Sequence, residues 1–533
     1  MRPEDKFFRI SDDAKIWQKY CGFLDLSLEE FMEMQEHLLL DEIELVANSP
    51  LGRKIMQNQK PSSVDEFRKV VPLTTYEDYA PYLGQQNEDA LAVKPHIWAH
   101  TSGAGGTFKW VPLTERSLDI WVRNGIAMMI LASASSKGEV NIQPGIRLFH
   151  NTPPRPYGSA IVTYAMAERF SMQDMPPLEE SEMMAFPQKI EKGVSMALLK
   201  GIDVIYSLSS VLVKIGEGLG QRSGERKFSL AMLHPALLFR IIRAKLRAKR
   251  EGRAMLPRDL WNPRAVLCAG TDTSIYRDKI AYYWGKTPCE FYVFTEGGPL
   301  ALEGWNRKGL VFIPDLGFLE FIPEKEWCKS REDKEYQPPT VLLNELEEGK
   351  TYEVVTTNFH GMPFLRYRPG DLLRVVALRD EETGCQLPQM VFAGRVGDII
   401  DVLGIARLDE RTVWHAIAGT GVDFEDWTMR KEQEEGKPVI HLYIELKQGE
   451  KRTAEELRYL VNEQIRVMDR HYKEATTDLE PNPLRVSLLP QGSFQRYFEE
   501  KKKEGASMAH LKPTHMCASD EVMEKLLHLS KGG

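Results

Sequence analysis

The stretch Thr101-Ser102-Gly103-Ala104-Gly105-Gly106-Thr107-Phe108-Lys109 gathers small residues around three hydroxyls and ends on a lysine. Few side chains cover such a loop, so its backbone N–H groups are left to face an anion. Thr101, Ser102 and Thr107 add hydroxyl donors, and Lys109 adds a positive charge. Phosphate oxygens are met by this combination, although a plain glycine-serine turn is the competing reading. The spacing GxxxxGK[ST] is absent, so the loop is not a Walker A loop. Three more stretches carry chemistry-bearing residues. Glu296 follows the aromatic run FYVFT, where a carboxylate could hold Mg²⁺, and Tyr292 offers a flat ring on which a purine could stack. In RYRPGDLLRV, Pro369-Gly370 forms a turn that sets Asp371 where a strand resumes, placed to accept from ribose hydroxyls. Arg366 and Arg368 flank it, so a structural ion pair competes. In GRVGDIIDVLG, Arg395 stands near a change of character in the chain, as a phosphate ligand or the partner of a nearby carboxylate.

The elements that must position these residues read as an α/β protein. The first ninety residues are mainly helical, with a capping box from Ser27 to Glu30 opening one long helix. RAVLCAG (264–270) and CEFYVFTEGG (289–298) read as strands whose ends carry polar residues, as ligand sites of α/β sheets do. GIRLFH and GSAIVTY read as strands, and 193–220 as mostly helical with a break at Gly201. LLNELEEGKTYEVVTT reads as a hairpin bending at Glu348-Gly349 within an added β region. After Arg395, PVIHLYIEL, TAEELRYLVNEQIRVMDRHY and LRVSLLP form a β-α-β pattern. The expected fold is a large α/β N-terminal domain with layered sheets and an added β region (1–394), then a small α+β C-terminal lid domain (395–533). Residues 145–260 would be a helix-rich region walling an acyl substrate.

With 533 residues, 42% apolar and 27% charged, the chain fits a soluble globular enzyme of more than one domain. A net charge of −8 argues against a general nucleic-acid partner. The start MRPEDKFFRISDDAK lacks the apolar core of a secretory signal, and no 18-residue apolar run predicts a transmembrane segment. Six cysteines without metal or disulfide spacing suit a reducing, cytoplasmic location. HPALLFRIIRAKLRAKR (234–250) is basic and amphipathic. It reads as a surface helix with Leu237, Leu238, Ile241 and Ile242 toward the core, or as a helix suited to an anionic surface.

Taken in order, the four stretches resemble the motifs of the adenylate-forming superfamily of acyl and aryl ligases and luciferases. Residues 102–109 are similar to SGTTGxPK, 292–296 to YGxTE, 368–371 to RTGD, and Gly394-Arg395 to the opening of the GRxxD-like core motif around Asp398. Within it the chain resembles the GH3-like acyl acid amido synthetases, found in plants and bacteria. That likeness rests on WNPRAVLCAGTDTSIYRDKI, on KWVP after the serine-glycine loop, on FAGRVGD, and on the tail LPQGSFQRYFEEKKKEGASMAHLKP. The resemblance implies ATP and Mg²⁺ as cofactors, and a carboxylic acid joined through an acyl-AMP to an amino acid or amine. Ser102, Gly103, Gly105, Gly106 and Lys109 would envelop the β- and γ-phosphates. Gly270 and Thr271 would line the adenine side, Tyr292 would stack on adenine, and Thr295 would approach the α-phosphate. Glu296 would coordinate Mg²⁺, Asp371 the ribose, and Arg395 the phosphate or ribose region. Lys512 matches the lysine of the family's final segment, with Lys501, Lys502 and Lys503 as rivals. Ala104, Gly105 and Phe108 depart from the family's phosphate loop, and Gly397 from its hinge. Acyl-CoA formation, with CoA as co-substrate, an adenylating enzyme that loads some other thiol or amine partner, and a non-catalytic ligand-binding relative are the alternatives. His96, His100 and His360 are candidate bases by type alone.

Overall fold

The computed structural model spans residues 1–533 and describes all but 102–108, 222–234, 270–272, 333–334, 403–405, 435–436, 470–471, 474–475, 477–481, 504–513 and 529–533. The chain divides into two compact units. One comprises Met1–Pro369 with Leu373–Phe392, the other Gly370–Leu372 with Ala393–Gly533.

The first unit opens with helices, of which Leu28–Val46 carries the expected capping box, Ser27 accepting from the Glu30 amide while Glu30 reaches back. Its buried Gln35 donates to the carbonyls of Pro314 and Gly317 at 2.5 and 2.8 Å and accepts from the Leu319 amide at 2.9 Å. A helix is thereby keyed to a strand some 280 residues later with no buried amide atom wasted. A four-stranded sheet runs in the order Met172–Met175, Ile146–His150, Val204–Leu208, Ala265–Ala269, with every neighbour parallel. Of its strands, Val204–Leu208 and Ala265–Ala269 are short, mostly apolar runs, while Met172–Met175 is more polar and only partly buried. The chain after Ala265–Ala269 returns through Cys289, whose N–H donates to Val266 O at 2.8 Å. It then enters a seven-stranded sheet ordered Gly317–Pro323, Thr351–Asn358, Asp371–Ala377, Gln389–Arg395, Leu310–Phe312, Gly298–Glu303, Phe291–Phe294. The layered α/β body with an added β region is therefore present.

Three readings of the sequence are corrected. GSAIVTY lies in the helix Gly158–Arg169. Its Ile-Val pair looks like a strand over seven residues, but the segment is a helix buried nearly all round, with Gly158, Ala160, Ile161, Thr163, Ala165 and Met166 all buried, so it shows no helical period. Residues 193–220 are mostly helical and break at Gly201 as read, but the break holds a strand. Gly201, at φ +88°, ends the helix Phe186–Lys200, and Val204–Leu208 is a strand of the parallel sheet. A short apolar run in a doubly covered sheet has no period that separates it from a buried helix. The region 145–260 thus supplies three sheet strands as well as helices. Finally, Thr351–Asn358 follows a bend at Gly349 (φ +80°), but it pairs with Gly317–Pro323 and not with the residues just before the bend.

In the second unit, Lys437–Leu446 and Leu484–Leu489 are parallel neighbours joined through the helix Ala454–Met468, the β-α-β pattern read from the sequence. Phe424–Glu434 completes the three-stranded sheet antiparallel to Lys437–Leu446. Trp427, Leu442, Ile444, Val461 and Ile465 are buried between sheet and helices.

Candidate active site

The first unit assembles a carboxylate, two phenols and a lysine. Thr101 ends the strand Ile97–Thr101, Lys109 opens the strand Lys109–Leu113, and the two residues are paired across the ladder. They are the stems of the small-residue loop, whose Ser102, Gly103, Gly105 and Gly106 lie outside the described residues. Lys109 Nζ stands 5.2 Å from the ring centroid of Tyr76, the first residue of the helix Tyr76–Leu83. The Tyr76 hydroxyl donates to Trp110 O at 3.0 Å and accepts from Trp110 N–H at 2.7 Å, which ties the helix to the strand. Burial pushes this hydroxyl up to about 12, with the Trp110 amide opposing and the Glu296 charge reinforcing.

Glu296 is 6% exposed. It sits just past the carboxyl end of Phe291–Phe294, in the turn to the antiparallel strand Gly298–Glu303. The turn is tight because Gly298 takes φ +72° under Trp121, where an added Cβ would lie 2.2 Å from the indole. The Tyr367 hydroxyl donates to Glu296 Oε1 at 2.7 Å, and Asn358 Nδ2 donates to the Glu296 carbonyl at 2.6 Å. Thr295 meets the start of the helix Gly158–Arg169, where a Cβ on Gly158 would stand 3.0 Å from Thr295 Cγ2. Tyr292 is 4% exposed, its ring 5.5 Å from that of Phe294. Gly270 and Thr271 lie outside the described residues. Among the described residues no group of three or more His, Cys, Asp or Glu could hold a metal by itself. A single hard carboxylate still fits Mg²⁺, which keeps waters and takes its other ligands from substrate phosphate.

Tyr367 is aimed by an ion-pair network the sequence did not reveal. It bridges to Thr356, with Tyr367 N–H donating to Thr356 O at 2.8 Å. The preceding Arg366 takes φ +45°, a conformation that is costly for a residue with a Cβ and persists only when its surroundings fix it. Here they do. Buried Arg366 donates to Glu320 through Nε at 3.0 Å and Nη2 at 2.9 Å, and to the carbonyls of Arg68 and Val71 at 2.6 Å each. Arg368 pairs with Glu353 at 2.7 Å. Both arginines thus have carboxylate partners other than Asp371 among the described residues. Tyr367→Phe is expected to weaken Mg²⁺-dependent activity about tenfold, the worth of a hydrogen bond to a charged group. A titration showing the loss recovered at high Mg²⁺ checks this, and a loss indifferent to Mg²⁺ contradicts it.

In the second unit Asp371 is 2% exposed and accepts from Arg395 Nε at 2.9 Å. Gly370, at φ +81°, offers its carbonyl to Val396 N–H at 2.9 Å, so the turn and the Arg395 strand end hold each other. Both expected ligands are thus present as one pair, with the Arg395 side chain still 54% exposed. Burial pushes the nearby Asp398 up to about 6, with the Arg395 charge opposing and Glu410 reinforcing. Lys512 lies outside the described residues, while Lys501, Lys502 and Lys503 end the helix Ser493–Lys503. A residue missed in the sequence stands three positions beyond Lys512. His515 is buried, stacked on Trp427 with centroids 4.6 Å apart, its Nδ1 2.5 Å from Glu410 and its Nε2 2.6 Å from Asp426. Held between these two carboxylates and Trp427, His515 anchors the chain that follows Lys512.

Among the candidate bases, His100 packs on Tyr157 at 4.4 Å and on Trp110 at 5.4 Å, and burial lowers its pKa. His360 lies 2.8 Å through Nε2 from Asp315 O and is likewise lowered by burial. Both have structural surroundings. His96 is placed by its N–H on Leu113 O at 2.8 Å.

Family models match three successive parts of the chain: the GH3 family N-terminal domain over residues 21–208, the central domain over 310–395 and the C-terminal domain over 410–521. Over 234 residues the chain is 24% identical to the 4-substituted benzoates-glutamate ligase GH3.12 of Arabidopsis thaliana, covering 40% of this chain and 38% of that protein. Over 317 residues it is 25% identical to the probable indole-3-acetic acid-amido synthetase GH3.1 of Oryza sativa subsp. japonica, covering 55% and 48%. The aligned stretches therefore span less than half the length of these relatives. Among solved structures, the AtGH3.15 acyl acid amido synthetase in complex with 2,4-DB superposes with a TM-score of 0.67 at 18% identity, over 97% of each chain. A 2-hydroxyisobutyryl-CoA ligase in the postadenylation state superposes at 0.62 and 13%, over 95% of this chain and 93% of that one. These two likenesses establish the shared fold.

Proposed function

The chain belongs to the GH3 family, and from that premise we propose that it is an ATP-dependent ligase joining a carboxylic acid to an amino acid or small amine through an acyl-adenylate. The observation that carries this reading is Glu296, kept buried and oriented by Tyr367 beside the Tyr76–Lys109 corner. A structural carboxylate would find a cation; this one is held by a neutral phenol, which leaves its charge for an incoming metal. Relatives named as conjugating benzoates to glutamate or acting as amido synthetases support the same pairing of acid and amino acid.

A free carboxylate is a poor acyl donor because its leaving group would be oxide. Its attack on the α-phosphorus of ATP gives an acyl-adenylate and pyrophosphate, after which AMP leaves readily. The protein supplies placement and charge neutralisation for this in-line transfer. Thr101, Ser102, Gly103, Gly105 and Gly106 donate to the phosphates and Lys109 neutralises them. Gly270, Thr271 and Tyr292 receive the base, Thr295 faces the α-phosphate, and Asp371 takes the ribose hydroxyls. In the nucleotide complex Arg395 shares its guanidinium between Asp371 and phosphate. Bound Mg²⁺ at Glu296 supplies Lewis-acid stabilisation of the phosphate charge. The unit from residue 395 onward acts as a mobile lid that brings Lys512 to the reaction, with the His515 anchor fixing the end of that segment. The cysteines described are free, Cys21, Cys268, Cys289 and Cys385 buried, which suits a cytoplasmic enzyme. No helix among the described residues is long and apolar enough to cross a membrane.

Pyrophosphate exchange into ATP, made dependent on added acids from aromatic, short-chain and long-chain panels, tests the first half-reaction. Exchange with at least one acid is expected, and folded protein that exchanges with none overturns the reading. Lys512→Ala is expected to lower that exchange far more than Lys502→Ala. Equal losses, or a loss only at Lys502, would move the role to the 501–503 cluster.

A further inference from the structure

The helix Pro235–Arg250 buries only one of its two apolar faces. Leu237, Ala244 and Ala248 are buried, and Ile241 packs against the same core. Leu238 and Ile242, expected to face inward as well, instead point out. With Phe239 and Leu246 they form an exposed stripe, at 42% exposure for Leu238, 71% for Phe239, 55% for Ile242 and 56% for Leu246. At 100° per residue these four positions fall within about 100° of one another, roughly opposite the core face. Four large apolar side chains in one contiguous stripe on a soluble protein mark an interaction surface.

The charges say which kind. The helix holds six Lys and Arg and no Asp or Glu, in a chain whose net charge is −8. Two of the six serve the fold: Arg240 donates to the Ala197 and Leu198 carbonyls at 3.1 and 2.5 Å, and Arg247 pairs with Glu251 at 3.3 Å. The other four are exposed and engage no carboxylate among the described residues. Lys245 borders one edge of the apolar stripe, Arg243 and Arg250 the other, and Lys249 follows it near the helix C-terminus. We propose that this face docks in the plane of an anionic lipid surface. The stripe enters the acyl boundary while the flanking cations reach the headgroup phosphates, their aliphatic stems lying along the apolar surface. A convex helix face with cations along both edges suits a fluid anionic surface, which needs no shaped cleft. Since the chain as a whole is acidic, with a net charge of −8, this cation-rich, apolar face would be favoured for contact and would set the orientation of the bound molecule. The inference stands apart from the ligase reading: although the helix lies within the 145–260 region expected to wall the acyl substrate, the side chains of the stripe are exposed and lie on the side away from its buried face.

Flotation of the full chain with vesicles tests it, comparing phosphatidylcholine alone with phosphatidylcholine containing phosphatidylserine. Binding is expected only to the anionic vesicles, falling as salt rises. Phe239→Ser with Ile242→Ser, and separately Lys245→Glu with Lys249→Glu, are each expected to lower the partition coefficient about tenfold or more. Both variants change exposed side chains, so their pyrophosphate exchange in vesicle-free buffer should match the parent. No binding to anionic vesicles at low salt overturns the proposal, as does wild-type binding by both variants. Self-association in sedimentation that the Phe239→Ser, Ile242→Ser variant abolishes, without any vesicle binding, would overturn it in favour of a second copy of the chain.

Discussion

Glu296→Gln is expected to lower acid-dependent pyrophosphate exchange about 100- to 1,000-fold, the scale on which removing one transition-state electrostatic contact acts. The substitution keeps the shape of the side chain, and the amide oxygen can still accept from the Tyr367 hydroxyl now 2.7 Å away. What is lost is the negative charge that meets Mg²⁺. The melting temperature should therefore stay close to that of the parent while the rate falls, and added Mg²⁺ should recover little of it. Tyr367→Phe leaves the carboxylate charged and only unaligned, so its smaller loss should yield to Mg²⁺. An unchanged exchange rate in Glu296→Gln removes Glu296 from the metal site and leaves the fold assignment untouched.

The largest effect on stability is expected beneath the same tyrosine. Glu320→Ala should destabilise the first unit by about 3–5 kcal/mol, because it leaves a buried guanidinium without its counter-charge. Glu320 is fully buried, and it accepts from both Arg366 and the Thr340 hydroxyl, the latter at 2.6 Å. The double substitution Glu320→Leu, Arg366→Met should recover much of the loss, since no unpaired charge remains. Chemical denaturation of the single and double variants measures both values. A single variant as stable as the parent would show that Arg366 finds other partners. Recovery of stability need not restore activity, because Arg366 also holds the φ +45° turn that points Tyr367 at Glu296.

The residues with chemistry were legible where a turn concentrates them. The Gly-Ser loop, Thr295-Glu296 and Pro369-Gly370-Asp371 each stand between apolar runs, and their backbone needs dictate small or polar residues. Their partners were not legible. Tyr367 and Glu296 are 71 residues apart, and His515 meets Glu410 and Asp426 across 105 and 89 residues. No local period encodes such meetings, which depend on how sheets and loops are laid together. Arg366 and Arg368 looked like candidate partners for Asp371 because they are its neighbours in sequence, yet the turn at Arg366 (φ +45°) and the fold around it bring them to Glu320 and Glu353. The β-α-β unit of the second half was readable because its helix carries a capping box and a long apolar period. Val204–Leu208 was hidden by its own burial, since a strand covered on both faces has no alternation to show. The outward face of Pro235–Arg250 was misassigned for the opposite reason. Apolar residues were expected inside, and this helix has more of them than one buried face can use.

The central claim is that an activated acyl group passes to nitrogen. One measurement tests it most directly: mass spectrometry of the products formed when an acid that supports pyrophosphate exchange is incubated with ATP and Mg²⁺, in one reaction with a mixture of amino acids and amines, in the other with CoA. An amide, with AMP released in equal amount, is expected in the first reaction, and no acyl-CoA in the second. An acyl-CoA without any amide would contradict the account, assigning the chain to thioester formation on the same adenylating fold.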